Sequence, residues 1–316
     1  MAISDNTLDV VAPVAHAYPS ARSDDTKRDS RARTSLRARL RACRSLLLTP
    51  GSQPERFAGA RAGDGIVIDL ESNVAVADKD RARDAAFAFL RQPAEAEFPR
   101  ILRINSPRTV EGLRDLLALH ESSARPDAII IPKCESADEI GVVADVLEGS
   151  QSTIGIIPMV ELARAVFVAH LIASAHERVC GLFLGGGDLA ADLGADGSWE
   201  NLLFGRSCIV AAAATTGIAS IDVPYFKGDE EGLRKEATAS RKLGMTGKAT
   251  LHAGELEVIN SIFTPSPDAV THARSVMAAC ASAGTGTPVL NGHVIEPAMV
   301  REAERVRAIA DRLRNS

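Results

Sequence analysis

Two carboxylates in this 316-residue chain directly follow apolar runs: Glu161 closes "IGIIPMVE" and Asp188 closes "LFLGGGD". Both runs read as buried strands, and a carboxylate at the end of one loses solvation unless a cation or a proton neutralises it. If the strands are neighbours, the two groups share one space and repel each other as well. A hard divalent cation relieves both costs. Mg2+ suits the arrangement, because it takes one or two carboxylates and completes its octahedron with water and substrate oxygens. The competing expectation is that Arg164 or Arg103 neutralises the pair without a metal. Gly185, Gly186 and Gly187 precede Asp188; the first two are candidate substrate contacts, since glycines let a ligand approach the backbone and its N–H groups.

Polar residues end other apolar runs too: Pro50 and Gly51 in "TPG", Asp69 with Glu71, Arg103 with Asn105, Lys133, Asp222 and His252. Arg103 carries a planar fork that can bind a carboxylate through paired hydrogen bonds. Asp222 is a further candidate substrate contact on the same rim. With Mg2+ on the keto oxygen and one carboxylate oxygen of a 2-oxo acid, and Arg103 on another, the carbonyl is polarised and an enolate is stabilised. Aldol-type cleavage or formation of a C–C bond requires that. Lys133 admits two readings, a Schiff-base lysine of a metal-independent aldolase or an ion-pair partner, and the carboxylates in the same series favour the second. Cys134 beside it has no histidine nearby in sequence and reads as a packing thiol.

These residues need a scaffold that gathers strand ends. Eight short runs rich in Leu, Ile and Val lie at 45–49, 65–70, 100–105, 128–132, 154–161, 179–186, 218–224 and 247–252. Ala-, Arg- and Glu-rich stretches with helical spacing separate them. Most of the runs are apolar throughout rather than alternating, which predicts a parallel sheet buried on both faces. This number of βα units in about 210 residues fits a (β/α)8 TIM barrel, whose sites form where the strand C-terminal ends converge. An open doubly wound sheet is the alternative, but no G-x-G-x-x-G follows the first strand. The expected organisation is a flexible N-terminal tail with a basic segment over 1–43, the barrel over 44–275, and a C-terminal helical extension over 276–316. The basic segment, 27–44, carries eight basic side chains and one acid. No aromatic interleaves with them, so it reads as a solvated helix or an extended segment on an acidic neighbour, not as a nucleic-acid arm.

A net charge of −5 and a pI near 5.9 argue against a nucleic-acid or membrane protein as a whole. No apolar run reaches the roughly 18 residues of a membrane span, and the N-terminus lacks the basic-then-apolar order of a secretion signal. Five scattered cysteines without a C-x-x-C pair point to reduced thiols. A soluble, cytoplasmic protein is expected.

The segment "RSLLLTPGSQPERFAGARAGDGIVIDLESNVAVADKDRAR" resembles the opening of the citrate lyase β-subunit-like family, within the HpcH/HpaI aldolase superfamily. The likeness continues through "LRIN", "IIIPKCES", "VELARAV", "LFLGGGDLAADLG", "IDVPYFKGDEEGL" and "LGMTGKATLHAGELEVINSIFTPSPDAV", and spans about residues 43–300. The resemblance implies a Mg2+-dependent lyase or synthase of β-hydroxyacyl thioesters such as citryl-, malyl- or citramalyl-CoA, assembled as a homotrimer or hexamer. It implies Glu161 and Asp188 as metal ligands and Arg103 as the residue that binds the oxo-acid carboxylate. Pro50 and Gly51 of "TPGSQPE", together with Asp69, would line the substrate and thioester site. Four departures stand out. Ser72 in "DLES" and Gly187 in "GGGD" replace acids, and "LHAGE" carries atypical Ala253 and Glu255. In "GHVIEP", Glu296 takes the place of an Asp that relatives deliver from a neighbouring subunit to the thioester α-carbon. Glu296 is the candidate for that proton transfer, its extra methylene shifting the carboxylate by about 1 Å. Two alternatives stay open: a metal-dependent aldolase acting on free acids without CoA, and a catalytically weak ligand-binding subunit of an assembly.

Overall fold

The strands are β1 (Ser45–Pro50), β2 (Gly65–Asp69), β3 (Arg100–Arg103), β4 (Ala128–Ile131), β5 (Gly155–Val160), β6 (Gly181–Leu184), β7 (Ala219–Asp222) and β8 (Gly247–Thr250). In the computed structural model, which describes residues 35–315 apart from Ala96 and Thr285, they pair in chain order, all parallel. β8 closes back on β1, so the sheet is a barrel. The continuous apolar runs follow from burial on both faces. Leu46, Leu48, Val67, Ile101, Ile130, Ile157, Phe183 and Ile221 fill the interior. Their chain neighbours Leu47, Ile66, Ile68, Leu102, Ile129, Ile156 and Leu182 pack outward. The side-chain period of two sorts them. The outer layer is formed by α2 (Lys79–Leu90), α3 (Val110–Glu121), α4 (Ala137–Val146), α5 (Ala163–Phe167), α6 (Ala169–Ser174), α7 (Gly186–Leu193), α8 (Trp199–Thr216), α9 (Glu230–Leu243) and α10 (Leu256–Phe263). Among the described residues no helix is long and apolar enough to cross a membrane.

The expected flexible tail is corrected over its last residues; 1–34 lie outside the described part. A helix, α1 (35–41), inserts Leu36 and Leu40 into the interior cluster at the N-terminal end of the barrel. Its arginines tie it there. Arg37 Nε donates to the Val179 carbonyl at 3.1 Å, and Arg39 pairs with Asp127 at 2.8 Å. The described part of the basic segment is therefore a docked plug.

After the barrel come α11 (Pro267–Ala283), a hairpin of β9 (Val289–Leu290) and β10 (His293–Val294), and α12 (Pro297–Asn315). The boundary expected at 275/276 falls inside α11, a helix capped by Ser266. Ala273, Val276, Ile295, Ala303 and Val306 form a small core of their own in this extension. α12 lies across the N-terminal face of the barrel. Arg312 donates to the Glu97 carbonyl at 2.8 Å, and Ala298 and Arg301 face Arg41, Ser220 and Thr246 across a cleft. Glu296, exposed just before α12, thus sits at the end of the barrel opposite the strand C-termini.

Candidate metal and substrate site

At the C-terminal ends of the strands lies a cavity of about 270 Å³, with Leu48, Met159, Phe183 and Leu251 among its walls. Glu161, one residue past β5, is 2 % exposed; Asp188, in the first turn of α7, is about half exposed. Both line this cavity. The expected arginine partners are not there: Arg164 pairs with Glu135 at 2.6 Å. Instead Lys133, which follows β4, places its ammonium 3.4 Å from Asp188, 3.9 Å from Glu161 and 3.2 Å from Glu71. Its backbone N–H donates to Glu161 Oε1 at 2.7 Å. Burial raises the Glu161 carboxyl to about 8, Asp188 adds to the rise, and Lys133 offsets part of it. Burial works against the Lys133 ammonium, yet Glu161, Glu71 and Asp188 together hold its pKa above the ordinary value.

The cluster fits a small divalent cation on three counts. A buried carboxylate stays under-neutralised, a cationic group already bridges it to its neighbour, and the backbone beside it has no room to spare. A Cβ added at Gly185 would lie 2.2 Å from Glu161 Oε2. Among the described residues no cluster of three or more Asp, Glu, His or Cys side chains is arranged to hold a metal. An ion here would complete its shell with water or substrate oxygens, as Mg2+ does. Gly185→Ala should therefore push Glu161 aside, lowering stability by about 1–3 kcal/mol and weakening divalent-cation binding. Thermal denaturation with and without Mg2+ checks this, and an unchanged Mg2+-dependent rise in Tm would contradict it.

Arg103 also lines the cavity, but its fork faces away from it. Nε and Nη2 bind the two oxygens of Asp69 at 2.6 and 2.7 Å, and Nη2 also donates to Ser72 Oγ at 2.8 Å. The paired face of the fork expected to grip a substrate is thus taken up by Asp69, while Nη1 lies 3.4 Å from Glu71 and 4.0 Å from Met159 Sδ. Asp69 is fully buried, orienting Arg103 and accepting the backbone N–H groups of Glu71 and Asn73, and it does not line the cavity. Burial opposes its charge, but Arg103 outweighs that and holds the carboxyl below the usual range.

Pro50 and Gly51 are buried and absent from the cavity wall; Gly51 N–H donates to the Asp69 carbonyl at 2.8 Å, packing the turn against β2. Asp222 lies off the cavity wall. It is fully buried and spends its oxygens on Arg206 and Lys248, both at 2.9 Å. Gly185 and Gly186 do line the cavity. Asn105 is engaged by Lys79 and Asp115, and His252 is exposed and off the cavity wall. Burial pushes the Cys134 thiol up to about 12, as suits a packing residue.

The order of strands has a counterpart among known proteins. A sequence profile of the HpcH/HpaI aldolase/citrate lyase family matches residues 44–253.

This chain belongs to the HpcH/HpaI aldolase/citrate lyase family.

A (3S)-malyl-CoA thioesterase of Cereibacter sphaeroides is 34% identical over 277 residues, covering 85% of this chain and 94% of that protein. The L-malyl-CoA/β-methylmalyl-CoA lyase of Rhodobacter capsulatus is 32% identical over 299 residues, covering 84% and 93%. Among solved structures, the protein CitE of Mycobacterium tuberculosis in complex with magnesium, acetoacetate and coenzyme A is 31% identical. It superposes with a TM-score of 0.67 over 86% of this chain and all of that one.

Ser72 and Gly187 both line the cavity: Ser72 accepts from Arg103, and a Cβ added at Gly187 would meet nothing within 4 Å. Sequence reasoning assigned no role to Glu71, although it ends the same run as Asp69. It also missed Arg206, which no local signal in the Ala-rich α8 marks as facing inward.

Proposed function

We propose that this chain is a Mg2+-dependent carbon–carbon lyase acting on a short β-hydroxyacyl-CoA such as malyl-, citramalyl- or citryl-CoA, or catalysing the reverse condensation. The observation that carries the reading is the convergence of Glu161 and Asp188 on one cationic position beside Arg103 in an open cavity. Glu161 and Asp188 hold the metal. Mg2+ held there would polarise the carbonyl of the 2-oxo acid and stabilise the alkoxide charge on that oxygen as the C–C bond is made or broken. Arg103 Nη1 meets the oxo-acid carboxylate end-on, with Asp69 and Ser72 fixing the guanidinium's plane. Gly185 and Gly186 keep side chains out of the ligand's way. In condensation a carboxylate removes the α-proton of the acyl group, and in cleavage its acid form returns that proton. Glu296 is the proposed carrier, reaching the site from a neighbouring subunit of a homotrimer or hexamer, because its own site is at the other end of the barrel.

A second reading is hydrolysis of the same thioesters, favoured by the 34% identity to the malyl-CoA thioesterase. Incubation with the three thioesters, with and without Mg2+, separates the two. A lyase releases acetyl-CoA with glyoxylate, pyruvate or oxaloacetate, whereas hydrolysis releases free CoA and the intact hydroxy acid. Absence of Mg2+-dependent turnover with all three would overturn the proposal.

The subunit exchange has its own test. Mixed oligomers of inactive Glu161→Ala and inactive Glu296→Gln should recover part of the activity, since some sites then combine two intact halves. If Glu296→Gln alone retains full turnover and mixing changes nothing, Glu296 has no part in the reaction.

A further inference from the structure

We infer that Lys133 is a tethered counter-cation, holding the position between Glu161 and Asp188 until Mg2+ displaces it, so that metal loading is an exchange of one cation for another. The inference rests on the metal reading proposed above. Among the described residues, only Lys133 and Asn291 are non-glycine residues with positive φ. Asn291 precedes Gly292 in the β9–β10 hairpin, where a tight turn calls for that conformation. Lys133 has no such reason. It follows β4 at φ 53°, a costly setting for a long side chain. What the conformation yields is a double grip on one cluster. The backbone N–H reaches Glu161 Oε1 at 2.7 Å, while the side chain folds back to put Nζ within 3.2–3.9 Å of Glu71, Asp188 and Glu161.

The ammonium lies nearest Glu71 Oε1, at 3.2 Å, with Asp188 Oδ2 at 3.4 Å and Glu161 Oε1 at 3.9 Å, and a cation held by Asp188 and Glu161 would be in contact with it. Two positive charges cannot share that space. Lys133 is the one able to leave, because its flexible stem is 36 % exposed and Glu71, 3.2 Å away, remains as a partner. Glu161 stays oriented meanwhile, because the hydrogen bond from the Lys133 backbone does not depend on where the ammonium goes. Lys133 is thus a positioning residue: it neutralises the metal-free cluster and gives way when the ion arrives.

The test is competitive acetylation with limiting acetic anhydride, read at Lys133 by mass spectrometry, on the full-length protein with and without saturating Mg2+. Calorimetry in parallel records Mg2+ binding. Displacement frees the ammonium from its carboxylate neighbours and adds a nearby positive charge, so the reactivity of Lys133 should rise on the order of tenfold. The remaining lysines serve as internal standards, and in Asp188→Asn the response should vanish. Heat of binding with unchanged or reduced Lys133 labelling would overturn the inference and leave the metal site standing. No heat of binding at all would overturn the metal reading itself, and this inference with it. A response that persists in Asp188→Asn would place the metal elsewhere and also overturn it.

Discussion

Lys248→Met should destabilise the protein by about 3–5 kcal/mol, the cost of removing one member of a buried ion pair. Lys248 has no exposed surface. Its ammonium donates to Asp222 at 2.9 Å, to Glu236 at 2.7 Å and to the Val223 carbonyl at 2.6 Å. Asp222 is equally buried and holds Arg206 on its other oxygen. Burial opposes the Asp222 charge, but Lys248 and Arg206 outweigh it and keep the carboxyl below the usual range. Its contribution to stability is present above the unfolded pKa and is lost as pH falls through the lower folded one. Methionine fills much of the lysine's volume, so the loss reads as charge rather than cavity. Urea denaturation at neutral pH measures it, and a cost under about 1 kcal/mol would mean that water or rearrangement rescues Asp222. Activity should fall only as far as the folded fraction does, since Asp222 is not on the cavity wall.

Glu161→Gln should abolish Mg2+ binding and lower turnover at least about a thousandfold, because the metal's stabilisation of developing charge is worth several kcal/mol. Without metal the same substitution should stabilise the protein at alkaline pH. The folded-state pKa of Glu161 lies at about 8, above the 4.5 of a free glutamate. Between those values the folded state binds more protons than the unfolded one, so stability falls as pH rises, by at most about 1.4 kcal/mol per unit. Glutamine removes that slope. Wild-type metal-free protein should lose stability from pH 5 to pH 8, the variant should not, and Mg2+ should restore the wild type alone. Parallel pH profiles of the two metal-free proteins would contradict the assignment of Glu161 as the strained carboxylate.

Much of the fold was legible because strands buried on both faces leave uninterrupted apolar runs, and eight such runs in sequence leave few topologies. Glu161 and Asp188 were paired correctly by one argument, that consecutive strands of such a sheet are neighbours. The same argument applied to Asp69 and Arg103 would have paired them too, since β2 and β3 set these two residues in direct register. They were read instead as ligand contacts, because a polar strand end looks alike whether it faces a cavity or the next strand. Asp222 was read in the same way, and its ion-pair partners lie in β8 and the middle of α8. The turn at Lys133 left no trace in sequence, as a left-handed residue without glycine or asparagine carries no signature. The docking of α1 was readable, for Leu36, Leu40 and Cys43 recur at helical spacing among the arginines, and all three are buried in the barrel.

That docking bears on where the protein can be cut. The stretch that the family profile matches begins at residue 44, three positions after α1. A fragment trimmed to that boundary would keep every strand and every cavity residue, yet leave the barrel floor open where Leu36 and Leu40 sat. Each lost leucine removes contacts of a kind worth about 2–5 kcal/mol in other cores, a large share of any domain's net stability. Residue 253, where the shared stretch ends, also precedes α10, whose Leu256, Ile259 and Phe263 belong to the outer core layer. The stretch that the family profile matches therefore stops short, at both ends, of residues on which the barrel's packing depends.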